Sequence, residues 1–222
     1  KTLGGTDWDF AYSLQNTSDG GFVIAGETYS YGSGNNDVYL IKTNSFGDTL
    51  WTKTYGGSNK DYAKSVKQTF DGGYIIGGGT SSYGLGGNDL WIIKTSSTGD
   101  TLWTRTFGDT LNEWANGIAQ TYIDSGFVAV GIANSFNNSN NYDYYTVKTD
   151  QNGNLLWTYD ISSFQYDDYN ADVYPLPDGR NAIIGSTKST GTISYVFQFM
   201  ITEPTGWVIM GLGGPYGSAF YE

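Results

Sequence analysis

Cysteine and histidine are both absent from these 222 residues, and each absence excludes a class of chemistry. No disulfide can staple the chain, no thiolate or imidazole can hold a metal, and no catalytic triad or dyad built on His or Cys can operate. A chain without cysteine is compatible with an oxidising exterior. Positive charge is scarce: 11 Lys and Arg stand against 22 Asp and Glu, a formal charge of -11. Nucleic acid and anionic membrane surfaces both need clustered basic residues, so neither is an expected partner. No apolar run is long enough to span a bilayer, and no membrane insertion is expected. No signal peptide is visible. Lys1 falls inside a repeat, so the true N-terminus is expected elsewhere. Helical periodicity is missing throughout.

What is present is glycine, 32 residues of it, and a 17% share of aromatics, which together suggest many short strands joined by tight turns. These residues are arranged in four copies of a unit of about 52. Asp19-Gly20-Gly21 recurs as Asp71-Gly72-Gly73, as Asp124-Ser125-Gly126 and as Asp178-Gly179. Trp51 recurs as Trp103, Trp157 and Trp207. In the second copy, residues 63–69, 74–80, 89–95 and 101–107 read as four strands. The first pair is joined by a DGG hairpin whose glycine takes the positive φ of a primed turn. The expected fold is all-β, a β-propeller built of four-stranded antiparallel blades, with a β-solenoid or open array as the alternative. The whole chain, 1–222, reads as one domain of units 5–56, 57–108, 109–162 and 163–212, with partial strands at both ends. The fourth unit has drifted, placing Gln198 where Lys42, Lys94 and Lys148 stand.

Alternating strand directions send the tight turns to one end of a propeller and the longer loops to the other. Tyr31, Tyr83 and Phe136 hold equivalent places on those longer loops, either folded back over their blades or presented to a glycan or protein ligand. Asp9, Asp61, Glu113 and Asp168 precede each first strand. A pair of them could serve glycoside cleavage, but a residue repeated in every blade is read as structural, capping a turn or pairing with the lysines. The run Asp150 to Asn154 is read as an ordinary turn rather than a calcium loop. No catalytic residue, metal site or cofactor is therefore assigned. The tryptophans of the fourth strands are expected between neighbouring blades. Asn16 and Asn137 open N-glycosylation sequons.

Residues 51–84 (WTKTYGGSNKDYAKSVKQTFDGGYIIGGGTSSYG) and 88–108 (NDLWIIKTSSTGDTLWTRTFG) resemble a propeller-like repeat family of secreted bacterial proteins, common in the Bacteroidota and often cargo of type IX secretion. The resemblance implies export to the exterior or the cell surface and brings no catalytic residues with it. It also gives meaning to Asp-[Ser/Thr]-apolar triplets, which carry O-glycans in that group; here Thr49, Thr101 and Thr110 occupy them. On these grounds the sequence reads as a non-enzymatic extracellular module for adhesion, glycan or protein binding, or scaffolding. Two alternatives stay open. One is a filament subunit that self-assembles through its terminal strands. The other is a carboxylate-dependent polysaccharide-degrading enzyme.

Overall fold

The computed structural model describes residues 1–134, 142–161, 168–188, 195–206 and 208–213, and the fold below is that of these residues. They are all-β. The first blade contains β1 (Asp9–Asn16), β2 (Phe22–Thr28), β3 (Asp37–Thr43) and β4 (Thr49–Tyr55). The second contains β5 (Asp61–Gln68), β6 (Tyr74–Thr80), β7 (Asp89–Thr95) and β8 (Thr101–Phe107). The third contains β9 (Glu113–Gln120), β10 (Phe127–Ala133), β11 (Asp143–Thr149) and β12 (Leu155–Ile161), and the fourth β13 (Asp168–Pro175), β14 (Asn181–Lys188), β15 (Tyr195–Thr202) and β16 (Val208–Gly213). Each sheet keeps its strands in chain order and antiparallel, which is the β-propeller architecture expected of the repeat. The first strands β1, β5, β9 and β13 contact one another in turn and so line the axis.

Burial explains why one unit cannot stand alone. Val23, Ala25, Val38 and Leu40 of the first blade pack on Ala63, Val66, Tyr74, Ile76, Trp91 and Ile93 of the second. The next junction repeats this with Ile75, Leu90 and Ile92 against Ala115, Ile118, Phe127 and Tyr145. Strands β6, β7, β10 and β11 are buried along their whole length, matching their apolar character on both faces. Trp51 meets Tyr74 of the next blade with ring centroids 5.9 Å apart, and Trp103 meets Phe127 at 5.7 Å, so the tryptophans lie between blades as expected. Lys53 and Tyr55 clasp the neighbouring turn as well, through Asp100 and the carbonyl of Gly99.

The lysines settle at the tight-turn end. Lys42, Lys94 and Lys148 are buried and reach Asp19, Asp71 and Asp124 at 2.8, 2.9 and 2.7 Å. Their partners are thus the turn aspartates and not the acids before the first strands, which correct that half of the expectation. The turn itself is a wider loop than a two-residue primed hairpin, closed by the Thr17 N–H on the Gly21 carbonyl. Its second position has positive φ in every unit: Gly20 (81°), Gly72 (81°), Ser125 (56°) and Gly179 (91°).

The fourth blade departs from this scheme in a compensated way. Strand register puts Ile201, not Gln198, at the lysine position: Lys42 faces Val23, and Ile201 faces the equivalent Ala182. The cation moves to Arg180, which stands where Gly21, Gly73 and Gly126 stand and reaches Asp178 at 2.6 Å. A Cβ at Gly73 would lie 2.2 Å from the Thr95 carbonyl oxygen and 2.7 Å from Lys94 Nζ. Met210, not a tryptophan, pairs with Ile201. Trp207 lies outside the described residues.

Substantial junctions join blades one to two, two to three and three to four. No comparable junction joins the fourth to the first among the described residues.

Candidate functional site

The repeated acids before the first strands are structural. Asp61 is buried and accepts hydrogen bonds from the Gly57 N–H (2.8 Å), the Ser82 hydroxyl (2.6 Å) and the Thr80 hydroxyl. Asp9 accepts the equivalents of two of these, from the Gly5 N–H and the Ser30 hydroxyl. These bonds satisfy backbone groups where one blade hands over to the next, which is the capping half of the expectation. The side chain of Asp168 lies outside the described residues. Asp150 likewise closes its own turn, accepting from the backbone of Asn152 and Asn154. No group of three or more metal-ligating side chains occurs among the described residues.

The candidate chemistry lies where the repeat is broken. Glu27 on β2 stands where Gly79 and Ile132 stand in the next two blades. In the second blade a Cβ at Gly79 would come 2.7 Å from the Tyr62 hydroxyl and 2.6 Å from the Asn88 amide, which hydrogen-bond across that space. In the first blade Glu27 fills the space. Its carboxylate accepts the Tyr12 hydroxyl at 2.6 Å on one oxygen and the amide of buried Asn36 on the other. Burial, then the bond and charge of Glu27, push the Tyr12 phenol up, so it stays a donor. The Lys64 ammonium, on the second blade, sits 3.4 Å from the centre of the Tyr12 ring. Burial pulls that ammonium down and the nearby Glu27 charge opposes the pull.

Around this carboxylate the rings are open to solvent. Trp8, Phe10 and Tyr12 are 70%, 39% and 43% exposed and form a ladder with centroids 5.8 and 6.4 Å apart, while Tyr29 meets Phe10 edge-on. β1 is an axial strand and Trp8 and Tyr29 flank the long-loop side, so the ladder lines the axial mouth at the loop-rich end. Trp114, Tyr142 and Tyr169 form a second aromatic row on the third and fourth blades. Toward the tight-turn end the axis opens into a cavity of about 540 Å³, lined by Gln15, Gln68 and Gln120 and by one carboxylate, Asp172. Asp172 is also outside the repeat, at the place of Ser13, Ser65 and Gly117.

The residues singled out from sequence sit elsewhere. Tyr31 leans on Tyr39 of its own blade and donates to the Gly4 carbonyl, while Tyr83 leans on Trp91 and donates to Gly56. No ring contact joins the two among the described residues, and Phe136 lies outside those residues, as does Asn137. Asn16, Thr49, Thr101 and Thr110 are exposed. The sequence signal for Glu27 and its rings was the unit-to-unit comparison itself, read for its exceptions: Trp8 stands at the place of Lys60, Tyr12 at that of Lys64.

A second acid breaks the repeat on β12. Asp160 takes the place of Thr54 and Thr106, and burial, with the Asp143 charge, pushes its carboxyl up to about 6. The folded value exceeds the ordinary one of about 3.9, so Asp160 contributes fully below that value and the contribution is lost as pH rises through about 6. Asp160→Asn is expected to raise the melting temperature at pH 7.5 and to remove the part of its fall that lies between about pH 4 and 6. Calorimetric scans of both proteins test this, and parallel pH profiles would refute it.

Comparison with known proteins bears on the fold. No protein-family model matches the chain, and no curated protein matches it in sequence. Solved structures do match. An endo-arabinase from Bacteroides thetaiotaomicron superimposes with a TM-score of 0.58 at 11% identity, over 96% of this chain and 80% of its own. A protein of unknown function from Dyadobacter fermentans gives 0.57 at 14% identity, over 88% of this chain and 66% of its own. An endo-1,5-alpha-L-arabinanase from Thermotoga petrophila gives 0.50 at 13% identity, over 93% of this chain and 59% of its own. At these identities the likeness is one of fold, here bacterial propellers.

The comparison corrects the expectation of a non-enzymatic module. Two of these three neighbours are enzymes by name, on the same architecture. Repetition marks the framework as structural, and it carries no information about side chains such as Glu27 that the framework holds only once.

Proposed function

We propose that this protein is a carboxylate-dependent enzyme acting on a polysaccharide, the class to which the arabinan-acting neighbours belong by name. The observation that carries the reading is Glu27: an unrepeated carboxylate at the axial mouth, oriented by the Tyr12 hydroxyl and the Asn36 amide and flanked by exposed rings. Aromatic faces suit the apolar faces of sugar rings, and two oriented donors leave the carboxylate one geometry from which to meet a glycosidic bond. Glycoside cleavage requires a second carboxyl group. The candidate for that part is Asp172, the other unrepeated carboxylate on an axial strand; it lines the axial cavity toward the tight-turn end and would have to come within about 10 Å of Glu27 across a bound chain. The same reading places the protein outside the cell, where polysaccharide is met, with Thr49, Thr101 and Thr110 available for O-linked sugar.

The test is release of reducing ends from arabinan and a panel of other polysaccharides, with Glu27→Gln and Asp172→Asn beside the parent. Loss of a positioned acid or base is expected to cut turnover by about 10²–10⁴-fold. Binding, followed by affinity electrophoresis, should survive in Glu27→Gln and weaken in Trp8→Ala. Undiminished turnover in Glu27→Gln, or binding of a polysaccharide that the parent never cleaves, would overturn the assignment.

A further inference from the structure

The first blade exposes a face that its successors keep covered. In the second blade Ala63, Val66, Tyr74, Ile76 and Trp91 are buried against the blade before them. One repeat earlier these positions are Ala11, Leu14, Phe22, Ile24 and Tyr39, none of them buried, with Leu14 at 62% exposure. The backbone there also lacks its partners. The Val66 N–H donates to Ser13 Oγ and the Gln68 N–H to Gln15 Oε1 of the preceding axial strand, and the Ile118 N–H to Ser65 Oγ. The equivalent donors of the first blade, at Leu14 and Asn16, have no such strand beside them among the described residues.

The edge of this face is already in place. Lys1 pairs with Asp48 as Lys53 pairs with Asp100. The Gly4 carbonyl accepts Tyr31 as the Gly56 carbonyl accepts Tyr83, and the Gly5 N–H donates to Asp9 as the Gly57 N–H donates to Asp61. Residues 1–5 therefore lie where the end of an outer strand lies in a preceding blade. Between them and the sheet runs a groove of about 510 Å³, lined by Leu3, Tyr31, Tyr39 and Thr52.

Asp9 indicates what a covering unit would carry. At the covered junctions the acids come in pairs. Asp37 Oδ1 and Asp61 Oδ2 lie 1.7 and 2.8 Å from the point a Cβ on Gly56 would occupy, hence no more than 4.5 Å apart. Asp89 and Glu113 meet in the same way beside Gly108. Beside the equivalent Gly4 the three nearest atoms to that point all belong to Asp9, and no second acid stands among them.

We propose that this face binds the first three strands of a further repeat unit of the same kind, whose outer edge is residues 1–5. The occupant is specified by continuity with the covered junctions: it presents small apolar residues as Val23, Ala25, Val38 and Leu40 do, a serine and a glutamine acceptor on its axial strand, and an aspartate opening its third strand beside Asp9. The inference is independent of the role of Glu27.

The test fuses a copy of residues 57–104 directly in front of Lys1, so that residues 1–5 complete its fourth strand. The extended chain is expected to remain monomeric by sedimentation, to melt at least about 5 °C higher, and to protect the amides of Leu14 and Asn16 from hydrogen exchange. Leu14→Asp should leave the parent chain's melting unchanged and abolish the gain in the extended one. Two results would overturn the proposal: no gain in melting temperature or protection, or a parent chain that already covers this face by pairing with a second copy.

Discussion

Gly78→Ala is expected to cost about 3 kcal/mol or more of folding stability, at or above the upper end for overpacked sites. A Cβ at Gly78 would lie 1.9 Å from the carbonyl oxygen of Tyr62, on the adjacent axial strand. That atom is backbone, so no rotamer change relieves the clash, and β5 and β6 would have to part beside the register shift at Ala63/Ser65. Gly26 and Gly131 face the carbonyls of Phe10 and Trp114 in the same way, at 1.8 and 1.7 Å. Gly77→Ala is the control. Its Cβ would have side-chain atoms of Ala115 and Ile118 as its nearest neighbours, at 3.1–3.3 Å, and a much smaller loss is expected. Urea unfolding of the two variants at equal slope measures the difference. Equal losses would mean that the strand pair yields more easily than its geometry implies.

Asp71→Ala is expected to cost more than Lys94→Ile, although the two delete the same ion pair. The Lys94 side chain is 5% exposed and that of Asp71 59%. Removing Asp71 leaves a buried ammonium with the Thr95 carbonyl as its remaining acceptor, at 2.9 Å. Uncompensated buried charges of this kind cost about 3–5 kcal/mol; solvent access at the turn brings the expectation to about 2–3 kcal/mol. Removing Lys94 leaves a carboxylate that still accepts from Thr69 and Gly73 and still meets water, so a loss below about 1 kcal/mol is expected. The fourth blade, with Ile201 at the lysine position, is a natural instance of the cheaper change. The pH dependence follows from the same contact. Bonds from Thr69 and Lys94 outweigh burial and hold the Asp71 carboxyl below its ordinary value. Its contribution is therefore present above about pH 4 and lost as pH falls further, and Asp71→Ala should lack that part of the acid transition. Equal losses from the two single variants would show that the turn relaxes enough to hydrate Lys94.

Much of the architecture was legible because the repeat states it four times. DGG turns, apolar third strands and alternating fourth strands each depend on local chemistry, and each appears where the spacing put it. Errors fell where a residue's role depends on which strand faces it. Lys42, Lys94 and Lys148 were matched to the wrong acids because the two acidic series are equally periodic, and only antiparallel pairing shows that the lysines lie at the tight-turn end. Gln198 was misplaced because the fourth unit matches the others poorly in sequence, and strand register identifies Ile201 instead. Tyr31 and Tyr83 lean on their own blades, which is one of the two readings that their recurrence had left open.

The sequence by itself determined that this protein is a set of blades, because a two-residue alternation and a fixed period leave each sheet with apolar surface that only another copy can cover. Tertiary structure decided which departures from the period matter. Glu27, Tyr12 and Asn36 are 15 and 9 residues apart along the chain and belong to three strands or their edges. Only the folding of β1 and β2 side by side, with the Asn36 loop closing over them, gathers the three at the axial mouth. A repeat records the contacts every blade must make, whereas a site made once is defined by distances that no periodicity encodes.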